Sequence, residues 1–214
     1  MSSRIVNLPT LYAIANIDSH ADPEQFIASL LSVGIKLLQI RAKKLPRDRI
    51  KEIALFALKS ARASKNNPAQ IIINDDINLA AEIDADGAHI GQTDHSPLSA
   101  RAVLGSSKIL GLSTHNVSQV SAAPVETVDY LGFGPIFISP TKQGHAATVG
   151  VGELKKAVGL SPLPIFAIGG VTLGSAAEIL ATGAKGMAVV SELERAAEFG
   201  STALLETVTR YKNL

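Results

Sequence analysis

The chain contains no cysteine and no tryptophan. The first absence excludes disulfides, thiolate nucleophiles and cysteine-built zinc sites, and it fits a cytoplasmic protein. Aromatic residues make up only 4% of the sequence, which leaves little for stacking on bases or sugars. Charge is nearly balanced, with Lys+Arg 20 against Asp+Glu 19, so the basic footprint of a duplex-binding protein is missing. No apolar run approaches the roughly 18 residues that a membrane helix needs. The opening stretch from Met1 to Thr10 lacks the apolar core of a signal peptide. The expectation is a cytoplasmic protein that acts on small molecules and binds neither nucleic acid nor membrane. A homo-oligomer is compatible with all of this.

What is abundant is apolar material. Hydrophobic residues reach 46% of 214, enough for a sizeable core in a single domain over 1–214. They fall into two alternating kinds of segment. The first is short, β-branched and apolar throughout: Leu11–Ile14, Leu37–Ile40, Ile71–Ile73, Ala88–Ile90, Ile109–Leu112, Tyr130–Phe133, Ile165–Ile168 and Met187–Val190. Such runs read as strands buried on both faces of a parallel sheet. Between them lie helical periodicities with start signals: Asp22 before Pro23, Pro46, Ser96 before Pro97, and Thr172 for a helix running to Gly183.

Eight βα units in 214 residues predict a single α/β domain, a (β/α)8 TIM barrel. Its core would cover about 10–195, with a last helix from about Phe199 to Tyr211. A doubly wound open sheet competes, because periodicity does not report closure. Eight units with nothing left over favour the barrel. One connection, from Gly134 to about Val151, is unusually long and rich in Gly, Pro, Ser and Thr, as functional loops are.

In a barrel the chemistry sits at the C-terminal strand ends, and polar residues gather there. Gln39, Arg41 and Lys43 alternate onto one face of the second strand, with Ala42 on the other. Two readings stay open: a solvated strand end, or cations awaiting an anion. The third and fourth strands end in Asn74, Asp75 and Asp76 and in Gln92, Thr93 and Asp94. Asp75 and Asp94 on neighbouring loops suit a Mg²⁺ shared with phosphates; each could equally be a helix cap. Asp76 is either a cap or a further carboxylate beside that metal site. The fifth strand leads to Ser113 and His115, the latter an acid/base by residue type and more ordinarily a hydrogen-bonding support. His89, inside a strand, reads as structural. Ser139, Thr141 and Lys142 in the long loop suit phosphate, as do Gly170 and Ser191 after strands seven and eight, although a tight turn alone would also explain the glycines.

These motifs, taken in order, resemble the thiamine phosphate synthase family. The resemblance rests on Gln39 to Lys43, Ile73 to Asp75, Asp86 to Asp94, Gly111 to His115, Gly134 to Lys142, Ala167 to Val171 and Ala188 to Ser191, and spans about Leu11 to Ser191. It implies a (β/α)8 enzyme that joins hydroxymethylpyrimidine diphosphate to a thiazole phosphate, carboxylated or not, and releases pyrophosphate. By resemblance Gln39, Arg41, Lys43, Asn74, Ser113 and Lys142 hold the pyrimidine diphosphate, and Asp75 and Asp94 bind Mg²⁺. Ser139, Thr141, Gly170, Val190 and Ser191 hold the thiazole phosphate. Arg41, Ser113 and Lys142 are the expected catalytic side chains, and the 134–151 loop the expected lid. The chain departs from the family at Ala42, often Glu, at Asp76, often Arg, and at Ser139, usually Thr. Two rivals remain: the thiazole tautomerase branch, with His115 as acid/base, and a non-catalytic paralogue that binds precursors. The full set of diphosphate and metal residues favours the synthase.

Overall fold

The computed structural model describes residues 8–64, 68–138 and 147–214. Its eight strands are β1 (Leu11–Asn16), β2 (Leu37–Arg41), β3 (Gln70–Asn74), β4 (Gly87–Ile90), β5 (Ile109–Thr114), β6 (Tyr130–Phe133), β7 (Ile165–Ile168) and β8 (Gly186–Val189). Each pairs in parallel with the next, and β8 returns to β1 through Leu11 opposite Met187 and Ala13 opposite Val189. The sheet is therefore closed, and the open doubly wound alternative is set aside. The helices are α1 (Pro23–Ser32), α2 (Arg47–Arg62), α3 (Ile77–Glu82), α4 (Pro97–Leu104), α5 (Val117–Ser121), α6 (Gly150–Leu160), α7 (Leu173–Leu180), α8 (Ser191–Glu198) and α9 (Ser201–Lys212). None is long and apolar enough to cross a membrane.

The start signals act as their chemistry dictates. The Asp22 carboxylate accepts the Gln25 N–H at 2.9 Å, and Ser96 Oγ accepts the Ser99 N–H at 3.2 Å. Several ends differ from the sequence reading. β1 and β5 run on into polar residues because the ladder continues past the apolar run, as where Asn16 pairs with Arg41. The helix capped by Thr172 stops at Leu180, three residues short of Gly183. The last helix starts at Ser201, since Gly200, at φ +105°, breaks the chain direction between α8 and α9. Phe199, expected to open it, instead ends α8 and is 84% exposed.

Strand alternation sorts the apolar side chains into two cores. Outward residues such as Leu38, Ile40, Ile71 and Ile73 pack beneath the helices, where α2 contributes Ile53, Ala54, Ala57 and Leu58. Each fully buried Ile or Leu there stabilises by about 1.5–3 kcal/mol. Inward residues form a second, smaller core inside the barrel: Leu8, Tyr12, Ile14, Leu37, Ile72, Ile109, Tyr130 and Phe166. At the N-terminal end Arg101 pairs with Asp129 at 2.8 Å and donates to the Thr127 and Lys108 carbonyls. Near the other end the Glu192 carboxylate, in the first turn of α8, accepts the Leu173 N–H at the start of α7 and the Tyr211 hydroxyl of α9.

Candidate active site

The C-terminal strand ends enclose a cavity of about 480 Å³, a volume typical of small-molecule sites. Gln39, Arg41, Lys43, Asn74, Asp75, Asp94, Ser113, Gly170, Val190 and Ser191 all line it. Ser139, Thr141 and Lys142, with the middle of the expected lid (139–146), lie outside the described residues.

One side of the cavity is charged. Alternation along β2 sends Gln39 and Arg41 inward, and the turn that follows keeps Lys43 on the cavity side, while Ala42 packs against the outer core. The Asp18 carboxylate accepts the Lys43 and Lys44 N–H groups at 2.7 and 3.1 Å, which fixes the turn leaving β2. Arg41 Nη1 donates to Asn16 Oδ1 at 3.0 Å, and Lys43 Nζ donates to the Asp75 carboxylate. Asp75 itself adopts φ +63°, a left-handed conformation that Asp tolerates better than most residues and that recurs at functional sites. Burial pushes its carboxyl above the ordinary range; Lys43 pulls it down, and the like charge of Asp94 pushes it up again. Asp94 Oδ2 is steadied by the Gly91 N–H at 2.7 Å.

Two interacting carboxylates facing a cavity are hard oxygen donors whose mutual repulsion a divalent cation would relieve. Among the described residues no group of three His, Cys, Asp or Glu side chains converges. That donor set fits Mg²⁺, which usually takes one or two protein carboxylates and completes its shell with water and phosphate oxygens. It does not resemble a nitrogen or sulfur site.

Asp76 does not join this pair. Its Oδ1 accepts the Leu79 N–H at 2.8 Å as the cap of α3, and its Oδ2 accepts from Arg47 Nε at 3.0 Å. The expectation of a further carboxylate beside the metal site is thus corrected. The cap needs its side chain over the first turn of α3, and Arg47 of α2 draws the free oxygen outward.

The opposite side is backbone-rich. Gly169 and Gly170 stand at φ +93° and +64°, and a Cβ on Gly170 would lie 2.5 Å from the Ile138 carbonyl oxygen. Glycine is therefore required by the close approach of the β6 and β7 loops, whatever ligand binds. α7 is closed by its own capping box, Thr172 with Ser175, whereas α8 begins after Val190 with no side-chain cap. The start of α8 at the cavity wall offers partial positive charge to an anion. His115 Nδ1 donates to the Gly134 carbonyl at 2.8 Å, so it ties β5 to the next loop while still lining the cavity.

The floor is where the sequence reading found least. Tyr12, Tyr130 and Phe166 meet edge to face, with ring centroids 5.4–5.7 Å apart. His89, expected to be structural, lines the cavity with Nδ1 3.0 Å from Tyr130 Oη and Nε2 2.8 Å from Ser113 Oγ. Burial holds its imidazole down at about 4, so it is neutral in ordinary buffers. Strand parity was the available signal: Tyr12, His89 and Tyr130 share the inward phase of Gln39 and Ser113.

Comparison with known proteins agrees with the barrel fold. The family profile described as thiamine monophosphate synthase matches residues 11–193. A thiamine-phosphate synthase of Lactococcus lactis subsp. cremoris is 37% identical over 172 residues, 80% of this chain and 79% of its own. One from Methanobrevibacter smithii is 36% identical over 190 residues, 87% and 88% of the two chains. The solved thiamine phosphate pyrophosphorylase of Pyrococcus furiosus superposes with a TM-score of 0.80 at 26% identity, covering 94% of this chain and 96% of that one. With the profile spanning the barrel from β1 into α8, the chain belongs to the thiamine monophosphate synthase family.

Proposed function

We propose that the chain is a thiamine-phosphate synthase, a transferase that moves a pyrimidinylmethyl group from diphosphate to the nitrogen of a thiazole phosphate. The supporting observation is one cavity in which the Asp75–Asp94 pair, flanked by Arg41 and Lys43, faces the uncapped start of α8 beside Gly170. Two anion subsites across a small aromatic floor match a donor carrying diphosphate and an acceptor carrying phosphate.

In this reading the bond between the exocyclic methylene and the diphosphate oxygen breaks, and pyrophosphate leaves with the electron pair. The aminopyrimidine spreads the positive charge left on the methylene. The thiazole nitrogen then attacks that carbon. Arg41 and Lys43 neutralise the leaving group, with Asn74 and Gln39 holding the donor and Ser113 beside its ring. Lys142 keeps the role that the resemblance implies, as do Ser139 and Thr141 for the acceptor phosphate. Gly170, Val190 and Ser191 orient that phosphate through backbone N–H groups. Asp75 and Asp94 would hold Mg²⁺, which supplies further electrostatic stabilisation of the departing pyrophosphate. No protein nucleophile is needed; preorganised charge and exclusion of water do the work.

The test is direct. Purified protein is incubated with hydroxymethylpyrimidine diphosphate, thiazole phosphate and Mg²⁺, with and without chelator, and thiamine phosphate and pyrophosphate are measured. Both products in equal amounts, abolished by chelator and restored by Mg²⁺, are expected. Folded protein that binds thiazole phosphate and releases no pyrophosphate would overturn the proposal and direct attention to His115 and a tautomerase.

A further inference from the structure

Five polar side chains run in series beneath the cavity. Gln39 Nε2 lies 2.7 Å from Tyr12 Oη, Tyr12 Oη 2.8 Å from Tyr130 Oη, Tyr130 Oη 3.0 Å from His89 Nδ1, and His89 Nε2 2.8 Å from Ser113 Oγ. The first four residues are buried, from 0% exposure at Tyr130 to 8% at His89, and Ser113 stands at the open end. Space for the series is made by glycine. A Cβ on Gly111 would lie 2.1 Å from Tyr130 Cζ and 2.5 Å from His89 Nδ1, and one on Gly132 would lie 3.3 Å from His89 Cε1.

Proton counting gives the series a direction. The Gln39 amide nitrogen can only donate, so Tyr12 Oη accepts and its own proton goes to Tyr130. Tyr130, having accepted, donates to His89 Nδ1. The neutral imidazole then carries its single proton on Nε2 and donates it to Ser113 Oγ. A serine oxygen that already accepts from below has its own proton left for whatever enters the cavity. Reversing any one link alone would leave a buried donor or acceptor without its complement, which costs a desolvation penalty.

We propose that Tyr130 and His89 are positioning residues that commit the Ser113 hydroxyl to donate into the cavity, toward a hydrogen-bond acceptor on the bound ring. Without them the hydroxyl would rotate among several partners. With them its orientation is set before the ligand arrives, the condition under which a polar contact contributes most to a reaction. The effect on turnover rests on the synthase reading; the direction of the series does not.

The experiment has two arms. In the first, ¹⁵N-histidine labelling and NMR of the ligand-free protein read which ring nitrogen of His89 is protonated, the signals being assigned with His89→Gln. Protonated Nε2 is expected in the wild type. Gln39→Glu replaces the leading donor with an acceptor and should move the proton to Nδ1, and Tyr130→Phe should give a mixture. Protonated Nδ1 in the wild type, or a tautomer indifferent to Gln39→Glu, would overturn the proposal whatever the protein catalyses.

In the second arm Tyr130→Phe should lower kcat about tenfold with KM within about twofold of wild type. In a Ser113→Ala background the same change should cost less than about twofold, because Tyr130 acts through Ser113. Equal losses in both backgrounds would mean a merely structural tyrosine. Should Tyr130→Phe fail to fold, Tyr12→Phe breaks the series one link earlier and reads the same tautomer.

Discussion

Lys43 Nζ donates to the Asp75 carboxylate across the open ends of β2 and β3, in an ion pair whose side chains remain 51% and 30% exposed. A pair so hydrated contributes little to stability, so its effect should fall on ligands. Asn tolerates the left-handed backbone that Asp75 adopts, which makes Asp75→Asn the informative change. Turnover should drop by about a hundredfold or more, while the melting midpoint stays within about 2 °C. Turnover within threefold of wild type would remove Asp75 from the proposed metal and diphosphate site.

The neighbouring carboxylate should behave in the opposite way. Asp76→Ala removes the cap of α3 and the partner of Arg47. Urea unfolding should show a loss of about 1–2 kcal/mol, with the Mg²⁺ concentration for half-maximal activity unchanged within about twofold. A marked shift in Mg²⁺ dependence would return Asp76 to the metal site.

At Gly170 a methyl group meets the Ile138 carbonyl at 2.5 Å on a left-handed backbone. Gly170→Ala should cost about 1–3 kcal/mol of stability. It should also raise KM for thiazole phosphate more than KM for the pyrimidine diphosphate. Equal rises would mean that the loop does not belong to one subsite.

The N-terminal end of the barrel supplies a control. Arg101→Leu strands the Asp129 carboxylate, only 9% exposed at its side chain and otherwise bonded to the Leu110 N–H. Denaturant midpoints should report a loss of about 3 kcal/mol or more, with kcat/KM unchanged where the variant remains folded. A change in kcat/KM would contradict the division between a stabilising lower face and a reactive upper one.

The barrel was legible because parallel strands are buried on both faces, so Ile71 to Ile73 or Ile165 to Ile168 could belong to little else. The charged wall was legible because alternation is a covalent property of strands, and it carried Gln39 and Arg41 inward together; Lys43, just past the strand, reaches the same wall through the turn that Asp18 holds. Asp75 and Asp76 were not separable, since a cap and a cavity carboxylate are the same residue until the turn between them is known. Tyr12, His89 and Tyr130 were passed over for a related reason. A buried aromatic in a strand has the same pattern whether it faces helices or the barrel interior, and only its parity with a neighbouring inward residue such as Gln39 or Ser113 tells which. The start of the last helix was misplaced because Phe199 extends an apolar periodicity that the Gly200 backbone interrupts.

Glu192 gives the last helix a part in the chemistry it never touches. Eight βα units end with α8, and α9 lies beyond the repeat, yet its Tyr211 hydroxyl shares the carboxylate that also receives the first amide of α7. That carboxylate is the immediate neighbour of Ser191 on the cavity wall. The terminal helix is in effect a buttress. Loosening its grip, by a fused tag or a substitution at Tyr211, would be felt first as a slackening of the cavity wall at Ser191, with the barrel itself still shut.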